Sequence, residues 1–420
     1  MIEYAVGAEV SGAPWLTEKG VVSVDVEMPV AVADDSFGTD LYLLLAQGAG
    51  DAAVGGPGQF NTVFSPASVA AALRMALCGA RGETARELAA ALHLDVPPDG
   101  PGQFSAADAA ADGLRAFSAL AGEITSTGSL TFRMANTAWV QTGLPLSSGF
   151  TARLRDNAMA QFAEADFAKA HEQARAEINR VIAEQTEGKI TGLLAPGTVD
   201  QTTRLVLANA LYLKAPWSDP FPEAETRDAP FRPDGERLTV PMMHGTATRA
   251  YVRADGYQAV LLAYANSRLA MAIVLPDGSL DDLRPCLTDG GMRRLLAGTA
   301  QRRVTLSMPR FRLEAGFDLI PALRRLGVHQ AFSDQADFTG MTDAARLSIG
   351  AIAHKAYVDV DEHGTEAAAA TAVAMRLLAL TQPPPRVEMV VDRPFLFAII
   401  DAPTRLPIFL GQVTRPHASR

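Results

Sequence analysis

The chain has 420 residues, 48% of them hydrophobic and 20% charged, with 37 basic against 47 acidic side chains and a formal net charge of −10. Such an apolar fraction excludes a disordered chain, and the acidic balance excludes the basic footprint of a nucleic-acid or anionic-membrane binder. Two cysteines, Cys78 and Cys286, exclude a disulfide-dense scaffold and a cysteine zinc cluster.

Length alone predicts two or three domains. No apolar run reaches the roughly 18 residues that a membrane span needs. The start Met1-Ile2-Glu3-Tyr4-Ala5 lacks a basic segment followed by an apolar one, so a cytoplasmic protein is expected, with secretion by another route left open. Lys19, Lys169, Lys189, Lys214 and Lys355 are the only lysines among the 37 basic residues, an arginine bias that fits a GC-rich bacterial genome.

Residues 1–35 carry scattered Gly and Pro without a sustained period and read as an N-terminal extension. Regular structure is expected from Ser36, where Phe37, Leu41, Leu44 and Leu45 share a helical face. Residues 48–58 form a Gly-rich connector. Ser65 then offers an N-cap, Pro66 the first helical position, and Gly79 a stop for a helix over Val69 to Cys78. Further helices are predicted over Thr84 to Leu92, Ser105 to Ala121, Phe150 to Met159 and His171 to Gln185. Strands are predicted over Ser129 to Gln141, Arg204 to Leu213, Ala259 to Ala265, Leu269 to Leu275, Arg303 to Met308 and Phe395 to Ile400. Helices early and strands late, with no βαβ alternation, predict a mixed α+β fold, and no linker divides it.

A Gly-x-Ser-x-Gly elbow and a His-Glu-x-x-His helix are both absent, and Gly48-Ala49-Gly50 fails as a dinucleotide loop because position 53 is Ala. The seven histidines are dispersed without metal spacing, so neither metal nor cofactor is expected. Two polar residues stand in apolar strands: Asn209 inside Leu205 to Leu211, and His354 at the head of a run in which Ala356, Val358 and Val360 share its face. Either they are ordinary satisfied core residues or they bond each other across neighbouring strands, with Ser65 or Ser68. A hydrolase with Ser65 or Ser68 as nucleophile and His354 as base is a further reading, though no oxyanion motif accompanies it.

The stretch from Asp361 to Pro385 fits two patterns. Its Ala, Met, Arg and Leu favour helix up to Pro383-Pro384-Pro385. Period two fits as well, with Thr365, Ala367, Ala369, Thr371, Val373, Met375 and Leu377 on one face.

From about Ser36 to Pro416 the sequence resembles the serpin family of serine protease inhibitors, as a bacterial member. The resemblance is carried by Asn61 to Ser68 (Asn-x-x-Phe-Ser-Pro-x-Ser), Thr186-Glu187-Gly188-Lys189-Ile190, and Leu207-Ala208-Asn209-Ala210-Leu211-Tyr212-Leu213-Lys214 with Trp217. Pro241-Met242-Met243, His354-Lys355-Ala356, Gly364-Thr365-Glu366-Ala367-Ala368, Arg393-Pro394-Phe395 and Phe409-Leu410-Gly411-Gln412-Val413 complete it. It implies one domain over residues 36–416, with three β-sheets, eight or nine helices and an exposed reactive-centre loop over about 362–385. Ser65, Ser68, Asn209 and His354 match the family's shutter beneath the point where the main sheet parts. Trp217, Arg310 and Glu362 match the breach, where the loop enters. Glu362, Gly364, Thr365, Glu366, Ala367, Ala368, Ala369 and Ala370 match the loop hinge.

The resemblance further implies a suicide substrate: not an enzyme, but an inhibitor that traps a serine protease as its acyl-enzyme when the cleaved loop enters the main sheet. Counting fourteen residues from Gly364 places the reactive bond at Leu378-Ala379, within about two residues, which suits chymotrypsin-, elastase- or subtilisin-like targets. Cleavage after Arg376 would point to trypsin-like enzymes, and cysteine proteases are a further class of target. A non-inhibitory binding or structural role is the alternative. No basic run marks the helices between Thr84 and Ala121, so heparin is not an expected partner, and a monomer is expected.

Overall fold

In the computed structural model, residues 24–48, 61–95, 105–126, 130–155, 161–233, 235–366 and 386–416 are described. Among them are nine α-helices: α1 (Val24–Leu45), α2 (Pro66–Gly79), α3 (Gly82–Ala91), α4 (Ala106–Ser126), α5 (Ser148–Arg155), α6 (Phe167–Gln185), α7 (Arg284–Thr288), α8 (Gly291–Leu295) and α9 (Ile320–Arg325). Local chemistry explains the best defined of them. Ser65 is extended, its hydroxyl accepts from the Ser68 N–H, and Pro66 supplies the pre-set φ of the first turn of α2. Every residue of α2 is buried, as an apolar sequence without a polar stripe requires.

The one charge in that helix, Arg74, is answered from α1: Asp34 accepts from both of its terminal nitrogens, at 3.0 and 2.5 Å, with both side chains enclosed. Regular structure thus starts earlier than the expected Ser36. Helix α1 begins at Val24, inside the stretch read as an extension, and Ala31, Asp34 and Asp35 are core residues. Pro29 and the acidic pair hid the helical period, because the partners that make those carboxylates tolerable lie elsewhere in the chain. Asp35 accepts from the backbone N–H groups of Met292 (3.1 Å) and Arg293 (3.2 Å) in α8.

A six-stranded sheet runs β10 (Phe311–Asp318), β11 (Ile349–Val360), β12 (Gly364–Thr365), β4 (Leu205–Pro216), β2 (Thr131–Gln141) and β3 (Gln161–Ala165). Strand β4 is enclosed on both faces over nearly its whole length, as its unbroken apolar run predicts. One face packs on the main core. The other packs under α6, where Ala174, Ile178 and Ile182 meet Trp139, Val206, Tyr212, Ala353 and Tyr357.

The remaining strands form a nine-stranded sheet in the order β1 (Thr62–Phe64), β15 (Pro407–Val413), β14 (Phe395–Asp401), β8 (Leu269–Pro276), β7 (Tyr257–Ala263), β6 (Leu238–Ala254), β9 (Ala300–Pro309) and β13 (Arg386–Val390), with β5 (Arg227–Phe231) also on β6. The two smaller sheets of the expected three are thus continuous, because β6 spans 17 residues and pairs with β5 and β9 before turning to β7. No helix among the described residues is long and apolar enough to cross a membrane.

One feature of the six-stranded sheet positions the polar clusters along its central seam. Strands β11 and β4 pair directly and in parallel from Ile349 opposite Leu205 to Tyr357 opposite Tyr212. Beyond that point they part, and β12 stands between them, Thr365 pairing with both Val360 and Ala215.

Candidate functional site

Where β11 and β4 still pair, His354 and Asn209 are register partners, and a polar cluster fills the seam beneath them. Asn209 Oδ1 meets His354 Nδ1, and the Ser65 backbone N–H donates to His354 Nε2 at 2.9 Å. Since Nε2 accepts, the proton sits on Nδ1 and is donated to Asn209. The Asn209 amide donates to the Ser68 carbonyl (2.9 Å), to Ser68 Oγ (2.6 Å) and to Asn136 Oδ1, and Ser68 Oγ donates to Asn136 Oδ1 at 2.9 Å. Ser65, Ser68, Asn209 and His354 are wholly enclosed, and Phe64 lies edge-on to the imidazole. Burial drives the His354 pKa down to about 3, so the ring is neutral.

This geometry removes the hydrolase reading. His354 bonds the Ser65 backbone rather than a serine hydroxyl, the Ser65 hydroxyl is spent on the cap of α2, and a base with a pKa near 3 takes no proton from serine at neutral pH.

A second cluster lies at the upper end of the seam. Trp217 stacks on Tyr264 (centroids 4.6 Å apart, planes 15° from parallel), and its indole donates to the Asp361 carbonyl at 3.0 Å. Glu362, 2% exposed, accepts from Arg310 Nε (2.8 Å) and Nη2 (2.6 Å) and from the Thr226 hydroxyl. Burial pushes this carboxyl's pKa up, but the hydrogen bonds from Arg310 and Thr226 outweigh it, and the net shift is downward.

Gly364 is required by close approach: a Cβ there would stand 2.8 Å from Pro216 Cα. Thr365 is completely buried, its hydroxyl 2.5 Å from the Tyr264 hydroxyl. Glu366 then turns left-handed (φ 49°), which ends β12, while its N–H still donates to the Asp359 carbonyl at 2.8 Å. Its carboxylate pairs with Lys189, which follows α6. Ala367, Ala368, Ala369, Ala370, Leu378 and Ala379 lie outside the described residues.

The structure therefore brings Ser65, Ser68, Asn209 and His354 into one group, and Trp217, Arg310, Glu362, Gly364, Thr365 and Glu366 into another, on the same pair of strands. The serpin (serine protease inhibitor) family profile matches residues 33–416. The chain belongs to the serpin family. An uncharacterized serpin-like protein of Thermococcus kodakarensis is 34% identical over 402 residues, covering 95% of this chain and 89% of that protein. The leukocyte elastase inhibitor of Sus scrofa is 36% identical over 368 residues, covering 85% of this chain and 93% of its own length. Among solved structures, a serpin of the insect Tenebrio molitor superposes with a TM-score of 0.77 at 28% identity, covering 94% of this chain and 100% of that one. The serpin fold, mixed α+β, is thereby shown, in a family of protease inhibitors that also has non-inhibitory members.

Several residues of these serpin clusters escaped the sequence reading. Asn136 sits at the centre of the lower one, and its signal was present: Asn136-Thr137 interrupts an otherwise apolar strand as Asn209 does. Thr226 and Tyr264 left no such trace, because a threonine before a strand and a tyrosine after one are ordinary.

Proposed function

We propose that this chain is an inhibitory serpin, a suicide substrate that holds a serine protease as its acyl-enzyme by inserting its cleaved loop between β11 and β4. The observation that carries this reading is β12. Two residues of the loop's near end already stand in the seam, hydrogen-bonded to both neighbours, with Thr365 facing the core and Glu366 at the point of exit. The next side chains to follow, Ala367 to Ala370, are small enough to enter a packed sheet without forcing their neighbours apart. An insert of about fifteen residues spans roughly 50 Å when extended, enough to carry an attached protease from one end of the sheet to the other.

In this mechanism the protease serine attacks the Leu378 carbonyl, the Leu378–Ala379 bond breaks, and the amine of Ala379 leaves with the downstream chain. The ester to Leu378 survives only if insertion outruns its hydrolysis. The seam then has two tasks. Ser65, Ser68, Asn209 and His354 must hold β11 and β4 together until cleavage and allow them to part afterwards. Trp217, Arg310 and Glu362 must set how readily the upper end admits more chain. Leu378 suits an apolar primary pocket, so the proposed targets are chymotrypsin-, elastase- or subtilisin-like.

The test is incubation with chymotrypsin, elastase, subtilisin and trypsin, followed by denaturing electrophoresis, sequencing of the new N-terminus and thermal melting of the cleaved protein. An SDS-stable complex, a cut before Ala379 and a large rise in melting temperature are expected. Clean cleavage by every protease would sink the inhibitory reading, and without a rise in melting temperature it would favour a binding or structural serpin. A complex with trypsin alone, cut after Arg376, would move the reactive bond and the target class.

A further inference from the structure

The outer face of β6, β9 and β13 forms a lattice of registered rows beside the far end of the loop. The first row is Arg386, Arg303 and Thr248, and the second is Glu388, Thr305 and Thr246. The third is Val390, Ser307 and His244. Beneath it, Val304, Leu306, Met308 and Met389 point into the core, so the outward residues cannot turn away. Hydroxyl contacts stiffen the face: Thr246 and Thr305 meet at 3.0 Å, His244 Nδ1 and Ser307 at 2.7 Å, and Arg386 Nε donates to Thr305 at 3.2 Å.

Charge on this face is unbalanced. Arg303 and Arg386 are exposed and directly opposed on neighbouring strands, an arrangement that costs stability. Neither has an ion pair among the described residues, including with Glu388, the carboxylate nearest in the lattice. Residues 367–385, which join β12 to β13, contain no acidic residue and include Arg376. A chain of net charge −10 thus carries, on this face, two arginines against the single carboxylate of Glu388, a local excess of positive charge.

We infer that the Arg303–Arg386 face is a docking surface for the target protease, engaging carboxylates on the rim of the protease outside its active-site cleft. This rests on the reading of residues 364–385 as the segment a protease attacks. The geometry supplies the occupant. From Leu378–Ala379 to Arg386 the chain reaches about 25 Å at most. A protease domain of roughly 230 residues has a radius of gyration of about 17 Å, so an enzyme seated on that bond comes within reach of the first row of the lattice whenever the joining chain is short of full extension. Oriented attraction there raises the rate of encounter and leaves the later step, insertion, untouched.

The experiment compares wild type, R303E/R386E and the charge-preserving R303K/R386K. For chymotrypsin, elastase and subtilisin, it reads the second-order rate of attack on the loop at about 20 mM and about 1 M NaCl. That rate is read whether the protease is trapped or released, so loss of trapping counts against inhibition alone. For at least one protease, R303E/R386E is expected to be attacked about tenfold more slowly at low salt and at the wild-type rate at high salt, with R303K/R386K unchanged. Attack on R303E/R386E at the wild-type rate by all three proteases in low salt would overturn the inference. So would a deficit that persists in 1 M salt, which marks altered loop geometry rather than lost attraction.

Discussion

The same two strands are fastened in opposite ways at their middle and at their top. Around His354 and Asn209 the groups are neutral and enclosed, both ring nitrogens of His354 and both amide atoms of Asn209 are paired while Asn136 Nδ2 is left over, and β11 pairs β4 without interruption. Around Glu362 the fastening is ionic, Arg310 is one-third exposed, and the strands have already admitted β12. A dry cluster of neutral hydrogen bonds either holds fully or fails together, since each unpaired member would carry its own desolvation cost. A half-solvated ion pair yields gradually and responds to salt. Under the proposed mechanism the middle of the seam acts as a lock and the top as the entrance for the loop.

The strongest way to break that contrast is His354→Ala. It leaves Asn209 Oδ1 and the Ser65 N–H unpaired and opens a cavity where the ring stood. Urea unfolding of the intact protein should lose about 3–5 kcal/mol, with little dependence on salt. A loss below about 1 kcal/mol would mean that water or a neighbour replaces the imidazole, and the middle of the seam would not be a lock.

Glu362→Gln comes next. It keeps the shape and one hydrogen-bond acceptor but strands Arg310, whose partial exposure softens the penalty for an uncompensated charge. A loss of about 2 kcal/mol is expected in low salt, shrinking as salt is raised. Equal losses at low and high salt would remove the distinction between the two ends.

Much of this was legible in the residues, for identifiable reasons. Strand β4 announces itself by an apolar run that only double-sided burial explains, and Asn209 stands out within it because nothing else there is polar. Ser65-Pro66 writes a helix start into two positions. The segment from Asp361 onward stayed ambiguous because its own propensity is helical, whereas the two residues that become β12 owe their conformation to β4 and β11 on either side. Helix α1 was missed upstream of Ser36 for the same reason: the buried Asp34 and Asp35 look like surface until Arg74 and the start of α8 are brought to them by the fold. What single-chain periodicity cannot carry is a polar residue whose partner lies 40 or 257 positions away.

The smallest effect separates the two ends by pH. An unfolded chain holds His354 near its ordinary pKa of about 6.5, while burial sets it at about 3 in the fold. Between those values the unfolded chain binds the extra proton, so His354 withdraws stability as pH falls from about 6.5 toward 3, by at most about 1.4 kcal/mol per unit. Asp35 runs the other way. Burial raises it to about 6, so the folded chain takes up the proton first and its contribution grows as pH falls from about 6 toward about 3.9. Because the two slopes oppose, the wild-type curve alone conceals both, and the informative quantity is the difference between wild type and His354→Gln. That difference should shrink by about 1 kcal/mol between pH 6 and pH 5. The corresponding difference for Glu362→Gln should stay flat there, because a carboxyl held below its ordinary value loses its contribution only as pH falls below about 4.3. A His354→Gln difference that stays flat from pH 6 to pH 5 would place water or charge in the seam and make its middle as open as its top.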